Sequence, residues 1–363
     1  MNTARFEQLL NNTVVPSNIS LEEQEKRYAP IISYVNANLP EQLYRFCKCT
    51  DNNLEAFLND QIWVSAAKYM NDGFDARIFF DIDVVRNVFS QNTKAVQNYI
   101  ESFLASTDAA AFTKEIAKKA LFSEVFSTLL GNTALTRTAV QAAPSVLFKE
   151  VEKILEGLSP ASQEMLKFAS FTEKLNSPMM WGLYAGDESG FAVAYHFDRM
   201  SFSAQLSGEA ERSFSLYPIV YSNKRFEIPF DYVRFLAEQS VFSRTIERMN
   251  DSQMRQIGLS FLEQHARNCP DGFLFTKIAL HKSSEWVGES EWRVLCNVRR
   301  NDSVASVDKG YFIKKPAAVY LGRRIHAINE RLIRSIAEEK GIPCYKMRLN
   351  DKSPAYELVA ERL

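Results

Sequence analysis

HKSSEWVGESEWRVL, residues 281–295, is the stretch on which the fold reading turns. A strand places alternate side chains on opposite faces. Over 289–295 that alternation puts Glu289, Glu291 and Arg293 on one face, with Trp292 and Val294 on the other. Three charges in a row on one face cannot enter an apolar interior unless they are paired. Two arrangements satisfy the pattern. One is a solvated strand face carrying a short Glu–Arg ladder. The other is a cleft edge, where the two carboxylates face a ligand and Arg293 or Lys282 offsets their charge.

Outward from this strand, LYRFCKC (43–49) is a short β-rich run and IWVS (62–65) opens another strand. Between them Asp51-Asn52-Asn53 starts a helix striped by Leu54, Phe57 and Leu58. NDGFD (71–75) is a turn cluster with Gly at its centre. Residues 1–38 read as helices, since Phe6, Leu9, Leu10 and then Tyr28, Ile31, Ile32 and Val35 recur at helical spacing, and Pro40 ends the segment. From about 81 to 175 the pattern is almost wholly helical, which predicts an insertion packed beside the cleft. Strands are expected again in 179–197 around a GDESG loop, in LYPIVYS (216–222), FLFTKIAL (273–280), EWRVLCNV (291–298), AAVYLG (317–322) and CYKMRL (344–349). Helices are expected over about 229–268 and over 325–340, the latter stopping before Gly341. Strands separated by helices of uneven length argue against a regular βαβ array. The predicted class is α+β: an N-terminal helical segment (1–40), then one domain (41–363) with a small mixed or antiparallel sheet core, interrupted by the helical insertion.

The composition bounds the function. The chain has 363 residues, 46% apolar, with 26 Phe and 4 Trp, enough to build a large core. Its 43 Lys+Arg and 44 Asp+Glu nearly cancel, so no global field recruits nucleic acid or an anionic membrane. The first residues, MNTARFEQLLNNTVVP, lack the apolar segment of a signal peptide, and no run approaches a membrane span, so a cytoplasmic protein with no membrane partner is expected. Cys47, Cys49, Cys269, Cys296 and Cys344 are an odd, scattered set that fits reduced, structural thiols. GxGxxG after a strand, GxxxxGK[ST], HExxH and GxSxG are all missing, so dinucleotide-fold, P-loop, zinc-protease and serine-hydrolase readings have no support.

The remaining polar residues are ambiguous taken singly. Arg45, in Tyr44-Arg45-Phe46, could form an ion pair or clamp a phosphate bidentately. Asn71 and Asp72 could cap a local turn. Trp181 and Tyr184 could be core aromatics or a stacking platform.

Taken in order, these pieces resemble a bacterial family, domain of unknown function 2971. Its opening reads L-Y-K/R-Y/F, a helix, then L-W-F-S and F-N-D-P-F-D. Here the counterparts are LYRF and IWVSAAKYMNDGFD, with Gly73 in place of the usual Pro. MWGLYAGDESGFAVAY, HKSSEWVGESEWRVL, AAVYLG with Gly322, and KMRLNDKSPAYEL continue the likeness from about residue 43 onward. More distantly the order of elements is similar to ADP-ribosyltransferases of the DarT type: a strand with Arg, a strand with Ser, and a later strand with E-x-E. That likeness implies an ADP-ribosyltransferase-like sheet and an NAD-consuming enzyme, of the kind used as bacterial antiviral defence or toxin effectors, acting on a protein or nucleic-acid acceptor. NAD would be the substrate, with no metal. By the same likeness Glu291 would be the catalytic carboxylate and Glu289 its partner. Tyr44, Arg45, Ser65, Asn71, Asp72, Tyr184, Trp286 and Arg293 would surround the NAD. Two alternatives stand beside it. One is a non-enzymatic module sensing a nucleotide or partner. The other is a metal-dependent nuclease using Asp72, Asp75 and Glu291.

Overall fold

The computed structural model describes residues 3–91, 155–208, 211–233, 252–296 and 309–363, with positions 152, 153, 235, 236 and 246. Two helices open the chain, α1 (Thr3–Asn12) and α2 (Leu21–Ala37), and their stripes bury Phe6, Leu10, Ile31 and Val35 in the same core as the sheet. Ser20 starts α2: its hydroxyl accepts from the Glu23 amide at 3.2 Å, satisfying a donor that a helix start leaves free. There follow β1 (Leu43–Cys47), α3 (Asp51–Leu58), β2 (Gln61–Ala66), α4 (Ile82–Gln91), α5 (Leu158–Met165) and β3 (Lys167–Thr172). Next are α6 (Pro178–Tyr184), β4 (Phe191–Tyr195), β5 (Ser201–Gln205), β6 (Glu211–Pro218) and β7 (Val220–Ser222). After them come α7 (Ser252–Ala266), α8 (Leu274–Leu280), β8 (His281–Ser283) and β9 (Glu291–Cys296). The chain closes with β10 (Lys309–Ile313), β11 (Ala318–Leu321), α9 (Ala327–Lys340), β12 (Cys344–Leu349) and β13 (Leu358–Arg362). The class is α+β. No helix among the described residues is long and apolar enough to cross a membrane.

Among the described residues eleven strands form one mostly antiparallel sheet in the order β13-β12-β11-β4-β1-β3-β9-β6-β5, with β2 and β10 as a branch. The branch point is β3. One of its edges pairs with β9 along its whole length, from Lys167↔Cys296 to Thr172↔Glu291. Its other edge is divided: Lys167 and Phe168 pair with Ala66 and Ser65 of β2, whereas Thr172 pairs with Tyr44 of β1. β1 and β2 therefore part over the middle of β3. From β2 the sheet curls, because β10 pairs with β2 and its Tyr311 carbonyl accepts from Ser207, just past β5, at 2.7 Å. The curl encloses Phe202, Phe214 and Phe312, whose ring centroids lie 4.8 to 5.5 Å apart.

Four expectations are corrected. The sheet has eleven strands and is not small. Residues 167–172, placed by periodicity in the helical insertion, are the branch strand; five of the six are buried, which erases the two-residue alternation that marks a half-buried strand. Residues 178–184, read as strand, are helix α6: Pro178 occupies the first turn and the Ser177 hydroxyl accepts from the Met180 amide at 3.4 Å. Residues 274–280 are likewise helix, since an apolar run buried nearly all round has no visible period. Of the expected insertion, 92–151 lies outside the described residues.

Close backbone packing ties the 186–190 loop to the sheet. A Cβ on Gly190 would lie 2.1 Å from the Cys47 carbonyl oxygen, and one on Gly322 would lie 2.1 Å from the Glu188 carbonyl oxygen. Gly190→Ala and Gly322→Ala should each lower stability by about 3 kcal/mol or more, read as a fall in the urea midpoint. Gly73→Ala, whose Cβ meets nothing within 4 Å, is the control. Equal midpoints for all three would refute the packing argument.

Candidate active site

Glu291 and Arg293 alternate along β9 and share a face. Glu289 arrives there by another route. Residues 284–289 form a 3-10 helix and Ser290 adopts a left-handed conformation (φ 45°, ψ 53°), so the expected strand over 289–290 is a turn. Such a conformation costs a non-glycine roughly 1–2 kcal/mol and must be held. It is held on both sides: the Glu291 amide donates to the Tyr221 hydroxyl at 2.8 Å, and the Thr172 hydroxyl donates to the Glu289 carbonyl at 2.5 Å.

Asp75, Lys282, Glu289, Glu291 and Arg293 are each at most 7% exposed, which excludes the solvated ladder. They form one ionic network. Lys282 Nζ donates to Glu289 Oε2 at 2.6 Å and to Glu291 Oε2 at 3.0 Å. Arg293 donates through Nε to Glu291 Oε1 (2.7 Å), through Nη2 to Glu291 Oε2 (3.1 Å) and Asp75 Oδ1 (2.8 Å), and through Nη1 to the Ala279 carbonyl (2.6 Å). The Phe168 ring lies 4.1 Å from the guanidinium carbon. Burial raises the Glu291 carboxyl, but Arg293 and Lys282 outweigh it and hold the group down at about 2. Asp75 shifts the other way: burial, together with the Glu291 charge, leaves it raised against the pull of Arg293 and Lys282. Burial alone would lower Lys282, yet Glu291 and the other carboxylates leave it raised.

The two glutamates differ in the acceptor capacity they retain. A carboxylate offers about four lone-pair sites. Glu291 uses them on Arg293 twice, on Lys282 and on the Ser170 side chain. Glu289 uses two, for Lys282 and the Tyr184 hydroxyl. Asn71 Nδ2 donates to that hydroxyl oxygen at 2.7 Å, so the Tyr184 proton is directed at Glu289. Burial, then the bond to Glu289, raise the Tyr184 phenol well above its ordinary value.

A cavity of about 330 Å³ opens where β1 and β2 part. Seven of the ten residues expected at a site line it: Tyr44, Arg45, Ser65, Asn71, Tyr184, Glu289 and Glu291. Arg45 Nη2 donates to the Trp63 carbonyl at 3.1 Å, while its Nη1 is buried without a hydrogen-bond partner. The other three do not line the cavity. Asp72 Oδ1 accepts from the Phe74 amide at 2.9 Å, a turn-capping role. Trp286 packs over Lys282 Nζ, 4.9 Å from the ring centroid. Arg293 is fully buried among its carboxylates. Asp75, expected only in the nuclease alternative, and Lys282, expected only as a charge offset, also line the cavity. Lys282 was visible as a charge beside the E-x-E strand; the pairing of Asp75 with Arg293, 218 positions away, left no sequence signal.

The family described as Protein of unknown function (DUF2971) matches residues 180–294, which include Tyr184, Lys282, Glu289, Glu291 and Arg293. The motifs at 43–75 and after 317 lie outside that match. No curated protein and no solved structure matches the chain.

Glu291→Gln should lower stability by about 3 kcal/mol, because the amide NH2 must face Arg293 or Lys282 donors and leaves a buried cation short of a partner. The wild-type contribution has a defined pH window. A carboxyl held at about 2 against an ordinary 4.5 stabilises fully above about pH 4.5 and loses that contribution as pH falls toward 2. Urea midpoints from pH 5 to 2 should fall more steeply for wild type than for the variant. Parallel slopes would mean that Glu291 does not carry this titration.

Proposed function

We propose that this cleft binds NAD and transfers its ADP-ribose to a macromolecular acceptor. The observation that carries the reading is Glu289, a buried carboxylate on the cavity wall with acceptor capacity left, held by Tyr184 and Lys282. Breaking the bond between ribose C1′ and the nicotinamide nitrogen releases neutral nicotinamide and builds oxocarbenium character on the sugar, as in glycoside hydrolysis. A fixed carboxylate in a desolvated site stabilises that charge. The acceptor's N–H or O–H adds to C1′, and its proton passes to Glu289 or to solvent. Arg45 suits the pyrophosphate, since it lines the cavity and a guanidinium is a rigid fork. Tyr44 and Tyr184 line the cavity with Glu289 and offer rings to the nicotinamide.

The resemblance gave Glu291 the catalytic role and made Glu289 its partner. The hydrogen-bond pattern favours the reverse: Glu291 is saturated and positions Lys282, which positions Glu289. The nuclease alternative finds no support, because Asp75 and Glu291 converge on the Arg293 guanidinium and Asp72 turns to the Phe74 amide.

The test is incubation with labelled NAD and protein, DNA or RNA acceptors. NAD should be consumed and the label transferred. Glu289→Gln should slow turnover about 10²–10³-fold. Its urea midpoint should fall less than that of Glu291→Gln, since Lys282 keeps Glu291 as a charged partner, and turnover is compared where the variant is folded. NAD that binds without being consumed would leave the sensing module as the reading. Absence of NAD binding would remove the nucleotide assignment.

A further inference from the structure

The ribbon of β2 and β10 has one face that core packing does not explain. Its registers are Gln61↔Ile313, Trp63↔Tyr311 and Ser65↔Lys309. The alternate residues Ile62, Val64 and Phe312 are fully buried, so these six side chains point to the other face, as a two-residue period requires. Trp63 remains 38% exposed there, with its ring centroid 5.1 Å from that of Tyr311. Just past β2, Tyr69 is 51% exposed, with Lys309 Nζ 4.8 Å and Lys68 Nζ 5.3 Å from its ring centroid. Lys68 also pairs with Glu164 at 3.5 Å.

Trp63, Ser65 and Tyr69 line the cavity as well, so this aromatic face continues into it and reaches Arg45, whose Nη2 donates to the Trp63 carbonyl. Exposed aromatic faces interleaved with lysines accept a flat heterocycle by stacking and an adjoining phosphate by charge. The cavity wall at Glu289 and Glu291 is anionic and repels phosphate. The charge pattern therefore gives the ligand a direction: sugar at Glu289, phosphates at Arg45, base outward.

We infer that Trp63, Tyr69, Tyr311 and Lys309 form the subsite for the adenosine monophosphate half of the nucleotide. This rests on the NAD reading of the cleft and adds the location of the second base. The subsite also fits the placement of Trp63, a large aromatic left half in water while its strand neighbours are fully buried.

Isothermal titration calorimetry with AMP and with nicotinamide mononucleotide, two ligands that share a ribose phosphate, tests the assignment. Wild-type protein should bind both. Trp63→Ala should weaken AMP about tenfold, equivalent to ~1.4 kcal/mol, leave nicotinamide mononucleotide unchanged, and be largely rescued by Trp63→Phe. Lys309→Ala, at an exposed position, should also weaken AMP selectively. Binding of nicotinamide mononucleotide without AMP would overturn the subsite and leave the cleft reading standing. So would AMP binding that is indifferent to both Trp63→Ala and Lys309→Ala. Binding of neither ligand by the wild type would remove both readings together.

Discussion

Arg293 has no solvent exposure, and the rest of the structure is arranged around that fact. A guanidinium stays charged and carries five donors, so they must be met inside the protein. Four bonds meet them from three directions: two from Glu291 on its own strand, one from Asp75 in the turn beyond β2, and one from the Ala279 carbonyl near the end of α8. Taking such ions out of water costs several kcal/mol each, offset only when the surrounding bonds are complete. The 71–75 turn, α8 and β9 consequently have to arrive together. Lys282, on the strand that follows α8, then meets Glu291 from the other side and draws in Glu289.

The same constraint locates the cavity. Phe168 of β3 packs beneath the Arg293 guanidinium and pairs with Ser65 of β2 on one side and Leu295 of β9 on the other. Four residues later β3 pairs with β1 instead, and the sheet opens between those two registers. Charges in a continuous sheet interior would have no access to a ligand. Here the network lies where the sheet divides, so its outer members reach an opening while Arg293 stays sealed beneath.

Much of this was legible, and the failures share a cause. β9, β11, β12 and α9 were readable because each carried a local signal, an alternation or a terminal glycine. Gly341, left-handed at φ 66°, ends α9 where expected. The branch strand 167–172 and the helix 274–280 were misread because burial on nearly all sides removes the periodicity that separates strand from helix. At the site, Arg45, Glu289 and Glu291 stood out because charges inside strand-forming runs need a reason. Their ranking was not legible. It depends on the left-handed turn at Ser290 and on which oxygens Arg293 and Lys282 occupy, and both are tertiary facts.

The charge balance gives the cleft a polarity that no single residue supplies. Among the described residues Asp75, Glu289 and Glu291 pair with Lys282 and Arg293, so three carboxylates meet two cations and one negative charge is left over. Glu291 and Arg293 bind each other through two hydrogen bonds, leaving the surplus with Asp75 and Glu289. Burial already raises the Asp75 carboxyl, a sign that the interior tolerates its charge poorly. Glu289 instead lines the opening, with Tyr184 donating to it and two acceptor sites free. Arg45, the cation on β1, lines the same opening. A ligand anionic at one end, and acquiring positive charge at the other only as it reacts, matches both ends at once. A uniformly anionic ligand would be repelled from the Glu289 end. The polarity thus favours a group that becomes cationic during reaction over a static anion, and the proposal of glycosyl transfer rests on that preference.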